Sequence, residues 1–141
     1  MVGAVVRLLL DTTAVIDLER GRNGATEAVA AWPGPIVVCD VALAEFGRGE
    51  GTSERIFELR AALLNLEINA AVAADYAEIT NFFRDGGWFM GANDLWMAAT
   101  ARAHGAALLT RHARMFGRTP GLTVVGYGVD PYEMPIEFIE L

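Results

Sequence analysis

The chain contains no lysine; all eleven basic residues are arginine. That absence removes several chemistries at once. A phosphate-binding P-loop needs its Lys, a pyridoxal enzyme needs a Schiff-base Lys, and a phospho-receiver domain uses one beside its phosphorylated Asp. Cysteine is nearly as scarce. Cys39 stands alone, so no intramolecular disulfide forms, a structural zinc site is disfavoured and a reduced, cytosolic setting is expected. No apolar run reaches the ~18 residues that span a bilayer, so no membrane role is expected. The stretch from Val2 to Leu10 is broken by Arg7 and closed by Asp11. It has neither a basic lead-in nor a cleavage site, and does not read as a signal peptide.

What is there favours one packed domain. The chain has 141 residues, 53 % of them apolar, enough for a real core and too apolar for disorder. The net charge of −7 is awkward for a nucleic-acid binder. Its distribution softens that, because Asp130, Glu133, Glu137 and Glu140 all lie beyond the last arginine, Arg118. The reading gives a domain over 1–125 and an acidic, apolar tail over 126–141 that packs on it.

Short apolar runs alternate with longer helical stretches. Strands are expected at Val5–Leu10, Ile36–Cys39, Leu66–Ile68, Ala106–Thr110 and Leu122–Val125. Helices are expected over 13–19, 25–32, 41–48, 53–64, 70–84 and 93–104, with a short turn at His112–Phe116. Asp40 and Asn93 are the expected caps of the third and sixth helices. Such alternation implies an α/β fold, a parallel sheet of four to five strands covered by helices on both faces, because parallel strands need crossover connections. Sites in such sheets collect outside the carboxyl ends of the strands. Asp11, Asp40 with Glu45, and Thr110 with Arg111 follow strands at those ends.

Three acids stand in unusual surroundings. Asp11 ends the apolar run "LLLD". Glu45 lies in "DVALAEFGRG", where Ala42 and Val41 share its helix face, and a carboxylate on an apolar face costs several kcal/mol unless paired, protonated or metal-bound. Asp94 opens the helix of "GANDLWMAATARAHG". Each alone has an ordinary explanation as a turn, cap or first-turn acid. Together they do not, since two carboxylates ~6 Å apart repel by roughly 3 kcal/mol at an effective dielectric near 20. A divalent cation removes that penalty, and oxygen-only ligands select Mg²⁺ or Mn²⁺.

The set "LLLDTTAVID", "ALAEFGRG", "GANDLWMAATARAHGAALLTR" and "PGLTV" resembles PIN domains, specifically VapC-type toxins of bacterial toxin–antitoxin pairs, from about Val5 to Val125. The resemblance implies a three-layer α/β/α sandwich and a cytoplasmic Mg²⁺- or Mn²⁺-dependent endoribonuclease. By motif position Asp11, Glu45 and Asp94 match the family's acids, with Asp11 and Asp94 the metal contacts, and Thr110 matches a Thr that hydrogen-bonds within the site. It further implies a homodimer, an RNA substrate and a cognate antitoxin that blocks the site. One departure stands out: His112 and Met115 occupy positions where an Asn and a fourth acid are expected. Met offers only a soft sulfur to a hard cation, so a weakened enzyme, or a PIN-fold module that binds RNA or antitoxin without cleaving, is the competing expectation. A phosphatase with Asp11 as nucleophile is a further rival, and it wants a second Asp where Thr13 stands.

Beside these acids, Arg111, Arg114 and Arg118 fall within eight residues, and Arg forks onto phosphate oxygens; Thr110, Arg111 and Arg114 are the candidate substrate-binding residues. His112 is assigned a cap or surface role, and His104 a place at a helix C-terminus. "GGWFMG", just before Asp94, carries aromatics that either stack on bases, seal a dimer or pin the loop to the core.

Overall fold

The computed structural model describes residues 6–130. Five strands form one sheet in the order β3-β2-β1-β4-β5, every pairing parallel. They are β1 (Leu8–Leu10), β2 (Ile36–Val38), β3 (Leu64–Asn65), β4 (Ala107–Thr110) and β5 (Val124–Gly126). The helices are α1 (Thr12–Arg20), α2 (Ala25–Ala31), α3 (Asp40–Gly49), α4 (Ser53–Ala62), α5 (Ala70–Asp85), α6 (Ala92–His104) and α7 (Ala113–Phe116). With right-handed crossovers, the steps from β1 to β3 run one way across the sheet and the later ones run back, so helices cover both faces. The expected three-layer α/β/α architecture is the one observed.

β1 is the central strand, and its composition explains why. Leu8, Leu9 and Leu10 are all buried, which suits a strand covered on both faces. On one side Leu8 and Leu9 pair with Ile36 and Val37; on the other, Leu8, Leu9 and Leu10 pair with Ala107, Leu108 and Leu109. The chain therefore leaves β1 in one direction and later returns to its other side. That reversal opens a crevice at the carboxyl ends of β1 and β4, where Asp11 and Thr110 stand.

The helices begin and end for identifiable reasons. Asp11 caps α1 by accepting from the Ala14 N–H at 2.7 Å, and Gly21, at φ 61°, closes the helix in the left-handed conformation that costs Gly nothing. Thr52 and Asn69 cap α4 and α5 in the same way. The main core gathers Leu8–Leu10, Val37, Val38, Ile79, Met97, Leu108, Leu109 and Phe116.

Four local expectations are corrected. Asp40 does not cap α3. Cys39 holds that position in extended conformation, and the Asp40 carboxylate accepts from Arg60 Nε at 2.9 Å instead. Asn93 does not cap α6, which starts one residue sooner behind Gly91 (φ −63°, ψ 156°). The third strand is Leu64–Asn65, not Leu66–Ile68, because Leu63 already turns extended (φ −117°, ψ 144°) and the register sets Val37 against Leu64. The last strand runs Val124–Gly126 rather than Leu122–Val125, since Leu108 pairs with Val124 and Thr110 with Gly126. The start of the tail packs against the body, with Tyr127 and Asp130 buried. The expected strand residue Val5 and the tail from 131 onward lie outside the described residues.

Candidate metal centre

Asp11 is fixed by the strand–helix junction that contains it. Its carboxylate is 4 % exposed. Oδ1 accepts from the Ala14 N–H at 2.7 Å and from the Thr13 hydroxyl at 2.9 Å, so the helix start aims the side chain. The Thr110 hydroxyl donates to the same carboxyl while accepting from the His112 N–H at 2.9 Å. That backbone contact occupies a lone pair of Thr110 and leaves its proton for Asp11. Burial pushes the Asp11 carboxyl up to about 6; hydrogen bonds from Thr110, Ala14 and Thr13 oppose this, and the Asp94 charge adds to it.

Asp94 stands in the first turn of α6. It is also raised, by burial first and then by the charge of Glu45. Glu45, on α3, is half-buried, and its Oε1 accepts from the Thr12 hydroxyl at 2.6 Å. Asp94 is thus the common neighbour, coupled to Asp11 on one side and to Glu45 on the other. The three acids share a neighbourhood rather than a ready-made cage: among the described residues no group of three or more His, Cys, Asp or Glu converges to hold a metal ion.

These donors still fit a hard divalent ion. They are carboxylate oxygens with hydroxyls around them, the hard donors such an ion prefers. Mg²⁺ dehydrates reluctantly and is commonly held by one or two carboxylates plus waters and substrate phosphate. Asp11 and Asp94 supply two carboxylates, each in a place that penalises its charge. A cation between them would relieve both penalties.

The other expected residues part company. Arg111 lies with its Nε 3.0 Å from Asp17 Oδ2, in an ion pair. Arg114 lines a cavity of about 460 Å³ beside Asp94, together with Phe89, Met90, Met115 and Arg118. Met115, at the expected place of a fourth acid, therefore puts a thioether into that cavity. His112 occupies the cap position of α7 but makes no side-chain cap hydrogen bond. Its imidazole pKa is lowered by burial, against the opposing charge of Asp130. His104 Nε2 lies 2.8 Å from the Glu67 carbonyl oxygen, in the last turn of α6.

Asp17 is the residue that sequence reasoning passed over. It is 1 % exposed. Oδ1 accepts from Arg22 Nε and Asn23 Nδ2, both at 3.0 Å, and Oδ2 accepts from the Tyr127 hydroxyl at 2.7 Å. Burial alone would raise its pKa; the hydrogen bonds of Tyr127, Arg22 and Asn23 and the Arg111 charge outweigh that and lower it. The Tyr127 hydroxyl is held protonated by burial and by this same carboxylate. One signal was available: Asp17 lies three residues after buried Ala14, on the inward face of α1.

Among curated proteins, none matches the chain. Among solved structures the fold is widespread. A chain of VapBC2 from Rickettsia felis, bound to a DNA fragment from the promoter, superposes with a TM-score of 0.73 at 21 % identity, covering 86 % of this chain and 98 % of that one. A chain of VapBC-1 from nontypeable Haemophilus influenzae gives 0.72 at 24 % identity, with the same 86 % and 98 % coverage. A chain of a toxin–antitoxin complex from Klebsiella pneumoniae gives 0.67 at 28 % identity, covering 90 % and 99 %. The model of the PIN domain matches residues 8–122, a span that includes Asp11, Glu45, Asp94 and Thr110, and on that match the chain belongs to the PIN domain family.

Proposed function

We infer that this protein is a VapC-type toxin, an endoribonuclease dependent on Mg²⁺ or Mn²⁺ whose cognate antitoxin silences it. The observation that carries the reading is Asp11: a buried carboxyl at the sheet's crevice, raised to about 6 and coupled to Asp94. Folding has placed there a charge that water does not stabilise, and a cation would. The toxin–antitoxin complexes among the structural neighbours support the partner. The homodimer, the RNA substrate and the cytoplasmic setting belong to the same reading. No helix among the described residues is long and apolar enough to cross a membrane.

Asp11 and Asp94 would hold the ion. When bound, it would supply Lewis acidity at a scissile phosphate and ease deprotonation of water. This chain's own residues do the rest. Thr110 and the start of α1 hold Asp11 in one orientation, with Oδ1 occupied. Glu45, held by Thr12 close to Asp94, would accept a proton there. Arg114, on the wall of the adjacent cavity, can fork onto a phosphate of the bound strand. Arg111 is committed to Asp17 and acts by fixing the loop after β4.

The second reading, a module that binds without cutting, is favoured by one observation: Met115 lines the cavity beside Asp94 where an acid was expected. RNA cleavage in Mn²⁺, compared between wild type and Asp11→Asn, separates the two. Cleavage that disappears in the variant supports the nuclease. Binding of RNA or antitoxin without cleavage by either protein supports the module.

A further inference from the structure

The loop before α6 holds one aromatic ring away from the protein. Trp88 lies 6.0 Å edge-on from Phe83 and 5.8 Å from Phe82, and the Arg118 guanidinium sits 5.0 Å over its ring. Met90 is buried, at 5 % exposure. Phe89, between these two anchors, is 88 % exposed. A loop tied down on both sides of an outward Phe is not a loose surface segment, and with Phe82 and Trp88 beside it also partly exposed, Phe89 extends an apolar patch, the kind of surface that marks a contact site.

Phe89 also lines the cavity that Asp94 shares with Arg114, Arg118 and Met115. Its volume of about 460 Å³ falls in the range of small-ligand sites, roughly 300–1,000 Å³. The lining combines an aromatic residue, two arginines and two methionines beside Asp94. That combination suits a base with its phosphate, because bases stack on aromatic rings and Arg forks onto phosphate oxygens. In a duplex the bases are already stacked, so a single strand must supply the ligand. A protein partner would contact ~800 Å² of surface on each side, so it would cover this cavity only as part of a wider face.

We propose that this cavity is a nucleobase subsite, in which Phe89 stacks on one unpaired base of single-stranded RNA while Arg114 and Arg118 hold the flanking phosphate. The proposal deepens the nuclease reading and rests on it for the meaning of the site, but its test does not depend on cleavage. Labelled single-stranded RNA and an abasic ribose-phosphate strand of equal length are titrated, by fluorescence anisotropy, into Asp11→Asn protein, which keeps the cavity intact. The base-bearing strand binds about tenfold more tightly. Adding Phe89→Ala removes that preference, and adding Arg114→Ala weakens both strands alike. Phe89 is so exposed that its truncation leaves the core intact, which an unchanged melting temperature verifies. Equal affinity for the two strands, or a preference that survives Phe89→Ala, overturns the subsite. If base preference depends on Phe89 while the wild type cuts no RNA in Mn²⁺, the subsite stands and the nuclease reading falls. If the wild type cuts RNA without base preference, the reverse holds. Loss of antitoxin binding in Phe89→Ala, with RNA binding unchanged, gives the cavity to a protein and overturns the proposal.

Discussion

Asp11 uses one oxygen for structure: Oδ1 accepts from Ala14 and Thr13. This explains why the residue reads ambiguously in sequence, where a helix cap and a metal ligand look the same. It caps α1, and under the proposed function it would hold the cation as well. Its folded pKa of about 6 against an ordinary 3.8 means that the folded, metal-free protein binds a proton more tightly than the unfolded chain. Stability from this group is therefore full below about pH 4 and falls as pH rises through about 6. Asp94 is shifted in the same direction. Asp11→Asn should accordingly raise the metal-free unfolding free energy at pH 7 by about 1–3 kcal/mol, read by urea denaturation, while abolishing activity. The same proton competes with the cation. Mn²⁺ affinity measured by calorimetry should weaken about tenfold per pH unit below pH 6, and should level off above about pH 7.

At the scale of elements, one carboxylate joins three parts of the chain. Asp17 on α1 takes the Tyr127 hydroxyl that follows β5, the Arg22–Asn23 turn before α2, and Arg111 in the loop after β4. Gly128 completes the junction: its φ of 61° is left-handed, and a Cβ there would lie 2.7 Å from the Asn23 carbonyl oxygen. Asp17→Ala leaves Arg111 and the Tyr127 hydroxyl without their partner and should cost roughly 3 kcal/mol. Tyr127→Phe should cost about 1 kcal/mol. Equilibrium denaturation distinguishes the two. This junction was illegible in the sequence because the Tyr127–Asp17 contact spans 110 residues, and no local pattern encodes such a separation. The parallel sheet was legible, since "RLLL", "PIVV" and "AALLT" are apolar runs bounded by turn residues. β3 was misplaced because two residues are too few to show a period. Asn93 and Asp40 were misread as caps because their residue types favour that role, whereas extended backbone at Gly91 and Cys39 decided it. Asp11, Glu45 and Asp94 stand out in the sequence as a set, although Asp11 and Asp94 each read singly as a cap or first-turn acid; that they share a neighbourhood without forming a cage depends on side-chain placement that spacing does not reveal.

For the whole molecule, a ligand that binds the folded state alone must stabilise it by mass action. Under the proposed function, Mn²⁺ at a hundred times its dissociation constant should contribute about 2.7 kcal/mol, a rise of roughly 5–10 °C in melting temperature for a domain of this size. Excess chelator should reverse the rise, and Asp11→Asn should show none; a scanning melt at pH 7 checks both. Because all five strands run in one direction, the candidate site residues share the rim at their carboxyl ends. The turns that lead into β2 and β5, at Pro33-Gly34-Pro35 and Pro120-Gly121, belong to the opposite rim. An epitope or fluorophore spliced into either turn would sit a full strand length from the chemistry. Such a handle should leave manganese uptake as it was, and topology alone makes it available to anyone who wants to immobilise or track this protein.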